Sequence, residues 1–105
     1  MKPKPMFRQG DVLIVQTVAI PMDAKPTKRD AGRVILAYGE VTGHAHAIVE
    51  PEVVKLSAGI EEYLQVAEAS EVRHEEHATI PVPAGDYRII HQREYTPERV
   101  VPVRD

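Results

Sequence analysis

The 105-residue sequence contains no cysteine, no tryptophan and a single phenylalanine. Without cysteine there is no disulfide, no thiolate metal ligand and no sulfur nucleophile. With one Phe and four Tyr, the chain is short of the aromatic platforms on which single-stranded nucleic acids stack. A formal charge of −3 also argues against a general nucleic-acid coat, so nucleic acid is not an expected partner. Tyr87, Arg88, His91, Arg93, Tyr95 and Arg99 read instead as a solvated edge with Tyr87 in the core. No apolar run approaches the ~18 residues of a membrane-spanning helix. The opening Met1-Lys2-Pro3-Lys4-Pro5 lacks the apolar stretch of a secretory signal. The expectation is a cytoplasmic protein with no membrane partner. Gly39 and Gly43 form no phosphate-binding loop, because neither a lysine nor a helix follows them in the required order. The serines and threonines stand in no nucleophile motif.

What the sequence has is β-branched residues: fourteen Val and eight Ile against four Leu. Such side chains suit a pleated surface better than a helix, and nine prolines would break most helices longer than two turns. Residues 11–18 form a near-continuous apolar run, as in a strand buried on both faces. Further strands are expected over 32–38, 43–49, 72–74, 78–82 and 86–92. Residues 52–57 and 63–67 read as a hairpin around Ala58-Gly59. Residues 20–29 are rich in proline and charge and read as a loop. Thr96-Pro97-Glu98-Arg99 has the order of an N-cap followed by proline at the first helical position, which predicts one short C-terminal helical turn. The expected fold is therefore all-β, a small antiparallel barrel or sandwich. A flexible arm over residues 1–8 would precede a single β domain over 9–105.

The five histidines carry the chemistry. In a strand, alternation puts His44, His46, Ile48 and Glu50 on one face and Ala45, Ala47 and Val49 on the other. Two histidines at i and i+2 can converge on one cation, with a carboxylate farther along. The bland reading of such a pair is a half-exposed strand whose imidazoles bond to solvent. His74-Glu75-Glu76-His77 adds two more, but at i and i+3 a regular strand would turn them to opposite faces unless a turn or bulge intervenes. His91 shares a face with Tyr87 and Ile89 and points inward if that face does. With Glu50, Glu75 and Glu76 nearby in sequence, the cluster could also titrate as a group near neutral pH without any metal.

Gly39, His44-x-His46, Glu50 and Gly59, with Pro83-x-Gly85 beyond them, resemble the motifs of the cupin superfamily. That resemblance implies a small β-barrel whose His44, His46 and Glu50, with one further histidine, hold a divalent metal. Where the second cupin motif has a histidine soon after Pro-x-Gly, this chain has Arg88, and its nearest histidine is His91. A second resemblance covers nearly the whole chain. Gln9-Gly10-Asp11-Val12, residues 39–46, residues 74–77 and Gln92-Arg93-Glu94-Tyr95 are similar to a small bacterial family of uncharacterised proteins, which implies a shared structure and supplies no activity.

The functional expectation is a metal-binding β domain. His44 and His46 would hold one divalent ion (Zn, Fe, Mn or Ni), completed by Glu50 and one or two of His74, His77 and His91. An open position would then admit water or a small-molecule ligand; the reaction, if there is one, is not legible. The rival expectation is a non-catalytic module that binds no metal and assembles into a homo-oligomer or with another protein, its histidines serving as interface residues.

Overall fold

A computed structural model describes residues 6–39 and 44–91 of the chain. Every regular element among them is a β-strand: β1 (Met6–Gln9), β2 (Val12–Gln16), β3 (Lys25–Pro26), β4 (Val34–Tyr38), β5 (Ala45–Ile48), β6 (Val53–Ala58), β7 (Glu61–Val66), β8 (Ser70–Val72), β9 (Ile80–Val82) and β10 (Gly85–His91). The all-β expectation holds. The helical turn expected at Thr96–Arg99 lies outside the described residues. No helix among the described residues is long and apolar enough to cross a membrane.

All strand pairs are antiparallel. Six strands form one sheet in the order β1-β2-β10-β7-β6-β3. A second layer is built from the β4–β5 pair and the β8–β9 pair. Ala47 and Arg73 join these two pairs by exchanging backbone hydrogen bonds of 3.0 and 2.8 Å. Between the layers, Val12, Ile14, Leu64, Tyr87 and Ile89 from the large sheet meet Val34, Leu36, Ile48, Val72 and Val82 from the small one. Each such side chain removed from water contributes about 1.5–3 kcal/mol, which is why the β-branched runs are where the strands are. β2 is buried on both faces over Val12, Leu13 and Ile14, as its continuous apolar run predicts.

Two strands were not expected. β1 begins at Met6, inside the segment read as an arm, and residues 6–9 pair with Val15–Val12; residues 6–8 therefore belong to the sheet. β3 lies in the segment read as a loop and pairs Lys25 and Pro26 with Ser57 and Leu56. Polar residues and proline hide both strands, since each sits at an edge where one face meets solvent.

Two hairpins are closed by turns of the same kind. Gly10-Asp11 joins β1 to β2 between the partners Gln9 and Val12. Gly59-Ile60 joins β6 to β7 between Ala58 and Glu61. In each turn the glycine comes first with positive φ, +59° at Gly10 and +64° at Gly59. The second residue has no positive φ, the sign pattern of a type II′ turn, whose first central position is glycine's.

Candidate metal centre

His46 projects from the middle of β5 and is 6% exposed. Its Nδ1 lies 2.8 Å from Oε1 of Gln9, the last residue of β1. Gln9, 3% exposed, also donates from Nε2 to the carbonyl oxygens of Val72 and Ala78, both at 2.9 Å. It thus ties β1 to both ends of the segment that connects β8 to β9. That segment carries His74 and His77. It bends over residues 75–77 instead of running as a strand, so the opposite-face argument for an i, i+3 pair does not apply to it. Both imidazoles reach His46, with ring centroids 4.3 Å from His46 for His74 and 5.6 Å for His77, and 4.7 Å between His74 and His77. One nitrogen from each of the three lies within 4.8 Å of the other two. Around a tetrahedral ion with bonds of ~2.0–2.1 Å, such nitrogens stand about 3.3 Å apart. His77 is exposed and His74 only half-buried, so modest side-chain rotations on the loop can close that difference.

Neighbouring groups tune the cluster. Burial, and then the like charge that His74 and His77 would present, push His46 down to about 4, against the opposing pull of Asp11 and Glu75. His46 is therefore neutral at physiological pH, the form in which imidazole binds a metal. Glu75 is held below the usual carboxylate range, first by its own backbone N–H and then by that of Ala45. The Ala45 N–H to Glu75 Oε1 bond is 3.0 Å and fastens the loop to the start of β5.

Residues 8–92 match a family model described as a domain of unknown function, DUF8820. The chain belongs to the DUF8820 family. No curated protein and no solved structure matches the chain. The matched span includes Gln9, His46, His74 and His77, and the family brings no link to the cupins.

The remaining histidines of this DUF8820 domain are not in the group of three. His44 precedes β5; its Nδ1 is 3.3 Å from Glu76 Oε2. That separation is in ion-pair range without hydrogen-bond geometry. Its ring centroid is 6.0 Å from that of His74. Glu50 lies beyond the end of β5. Its main-chain oxygen accepts from Arg29 Nη2 at 2.6 Å, and its carboxylate is not in the group of three. His91 shares the inward face of β10 with Tyr87 and Ile89, which are 1% and 5% exposed. Its partner there is Glu62: Nε2 is 2.9 Å from Oε1, and Glu62 Oε2 is 3.4 Å from Lys55 Nζ. Lys55 also donates to Ile35 O at 2.9 Å, and Lys55 and Glu62 border a separate cavity of about 330 Å³ shared with Asp30 and Tyr38. The gathered donor set is thus one histidine of His-x-His with both histidines of His-Glu-Glu-His, unlike the pair plus Glu50 that the cupin resemblance implies.

Two residues of the site were missed in sequence. Gln9 is 37 residues from His46, and nothing local connects them. Gly10 could have been noticed as a turn between two apolar-containing segments. An added Cβ on it would meet His77 Nε2 at 2.9 Å and His46 Cε1 at 3.2 Å, so any other residue in this turn would push the imidazole of His77 aside.

Proposed function

We propose that this domain binds a single divalent transition-metal ion through His46, His74 and His77. The observation that carries the reading is the convergence of three imidazole nitrogens within 4.8 Å, one on a buried strand and two on a loop tied to it. Nitrogen donors of this kind suit Zn, Ni, Cu or Fe. Three histidines also leave a fourth position for water or a small ligand, which the bound ion would polarise. The chain's own contribution is placement. β5 fixes His46, Gln9 and the Ala47–Arg73 bridge set the loop against it, and Glu75 holds the loop's bend at Ala45. The Asp11 and Glu75 carboxylates add a negative field that draws a cation.

Elemental analysis of protein purified after growth with Zn, Fe, Mn and Ni, followed by zinc titration of the EDTA-treated chain, tests this reading. Close to one equivalent is expected, with loss in His46→Ala and His74→Ala while the far-ultraviolet circular dichroism stays that of a β protein. Well under one equivalent in the wild type, or full binding by both variants, overturns it.

A further inference from the structure

Gln9 and His46 are two of the three buried polar residues among the described residues, the third being Ser70, and they are bonded to each other. The Gln9 amide has one orientation that chemistry allows. Nε2 faces two carbonyl oxygens, those of Val72 and Ala78, and spends both its protons on them. The flipped amide would set Oε1 against two oxygens and leave all three without a donor. Oε1 is therefore the atom that meets His46 Nδ1, and an amide oxygen only accepts. His46 must donate from Nδ1, which leaves the lone pair of the neutral ring on Nε2, the only nitrogen still free to bind a cation.

We infer that Gln9 is a positioning residue for the histidine group, holding His46 in the Nδ1–H tautomer and so making Nε2 the nitrogen it offers, within a set of imidazoles that suits ions preferring neutral nitrogen donors. Zn²⁺, Co²⁺, Ni²⁺ and Cu²⁺ fit that description; Mg²⁺, Ca²⁺ and Mn²⁺, which favour oxygen, do not. An imidazole whose second nitrogen donates to a fixed acceptor is the usual outer-shell device of metal sites, and here the acceptor is itself locked by two main-chain carbonyls. His74 is set the other way. Its Nδ1 accepts the Glu76 N–H at 2.9 Å, so its proton sits on Nε2. If Nε2 binds the ion, Nδ1 must take up a proton and can no longer accept; if Nδ1 binds, its lone pair is used. Either way the Glu76 contact is given up, so His46 is the preset ligand and His74 the one that rearranges. The selectivity half rests on the proposed metal reading, whereas the tautomer belongs to the metal-free chain.

Long-range ¹H–¹⁵N correlation spectra of the EDTA-treated full chain at pH 7.5 read each imidazole's tautomer directly, and zinc and manganese titrations follow on the same sample. His46 is expected with a protonated Nδ1 and a bare Nε2, and zinc is expected to bind at least 100-fold more tightly than Mn²⁺ or Mg²⁺. In Gln9→Leu the ring should revert to the Nε2–H form favoured in water, and zinc affinity should fall by roughly 10–100-fold, the range for a lost outer-shell partner. The wild-type spectrum decides the matter by itself if the leucine variant does not fold. An Nε2–H tautomer in the wild type, or an unchanged Nδ1–H tautomer in a folded Gln9→Leu, overturns the inference whatever the metal does. Manganese bound as tightly as zinc overturns the selectivity. A wild type with the expected tautomer but no zinc binding sinks the metal reading instead, and leaves Gln9's role in the tautomer supported.

Discussion

Gly10 and Gly59 permit a controlled perturbation of the histidine group from outside it. Both occupy the first position of a hairpin turn, with φ of +59° and +64°. Alanine there costs about 1–3 kcal/mol of backbone strain, offset in part by the ~0.4–1 kcal/mol gained when the unfolded chain loses freedom. The two substitutions should therefore lower stability in urea by similar amounts, on the order of 1–2 kcal/mol each. They differ in what the new methyl meets. At Gly59 nothing lies within 4 Å, whereas at Gly10 the Cβ would stand 2.9 Å from His77 Nε2 and 3.2 Å from His77 Cε1 and His46 Cε1. His46 is buried and held by Gln9; His77 is exposed and is the ring that must yield. Swinging an exposed imidazole into water costs little in the metal-free protein, so the stability difference between the variants stays below about 1 kcal/mol. Zinc affinity is where they part. Gly10→Ala removes a ligand from reach and should weaken zinc binding by about 100-fold or more, since even outer-shell changes cost 10–100-fold. Gly59→Ala should bind as the wild type does. Competition against a chromophoric chelator, run beside urea titrations of both variants, gives the two numbers. Equal losses of affinity in both, or full affinity in Gly10→Ala, would refute the assignment of His77 to the site.

Three other outcomes follow from the same contacts. With EDTA present, His46, lowered to about 4 from an unfolded value of ~6.5, binds fewer protons folded than unfolded between those limits. Its contribution is thus complete above pH 6.5 and lost as pH falls towards 4, and the wild-type stability curve should drop more steeply across that window than that of His46→Gln. On zinc addition the Glu76 amide resonance should shift as its His74 acceptor is withdrawn, while the Ala45 amide, bonded to Glu75, moves less; an unmoved Glu76 amide at saturation would contradict the ligand role of His74. His91→Gln should leave zinc affinity within about twofold, because His91 is engaged by Glu62 and Val12 stands between it and Gln9 in the sheet register, and a loss of stoichiometry in that variant would put His91 back among the ligands.

The strands were legible where burial and residue type agree. β2, β4 and β5 fall within apolar runs bounded by turn residues and the β6–β7 hairpin overlaps its two runs, because a strand that faces the core must spend β-branched side chains on it. β1 and β3 were not legible. Met6 to Arg8 read as the end of the arm, and β3 is Lys25-Pro26, a pairing that neighbours impose on a sequence with no strand preference of its own. The site divides in the same way. Alternation singled out His46 as a candidate ligand facing away from Ala45 and Ala47, a relation internal to one strand. His44 was grouped with it, but its imidazole lies beside His74 and Glu76 and is not one of the three that converge. His74 and His77 were penalised by strand spacing, and the bend at 75–77 removes that penalty. Gln9 had no signal at all, since its role exists only once β1 lies against the β8–β9 connection.

The contacts that shape the site are also the contacts that close the fold on this side. β1 is an edge of the large sheet and β9 an edge of the small layer, and Gln9 bridges from the first to the carbonyls of Val72 and Ala78 on either side of the loop before the second. Arg73 bonds the same loop to β5, and Glu75 bonds it to Ala45. His46, His74 and His77 therefore come together only when three chain segments far apart in sequence have met. An ion bound to all three would bind the folded chain in preference to the unfolded one, and by mass action would stabilise it by about 2.7 kcal/mol at a hundredfold excess over Kd. In a domain of this size, where total stability is of the order of 5–15 kcal/mol, that is a large share. The loop, exposed through His77, is the part whose order such an ion would change most.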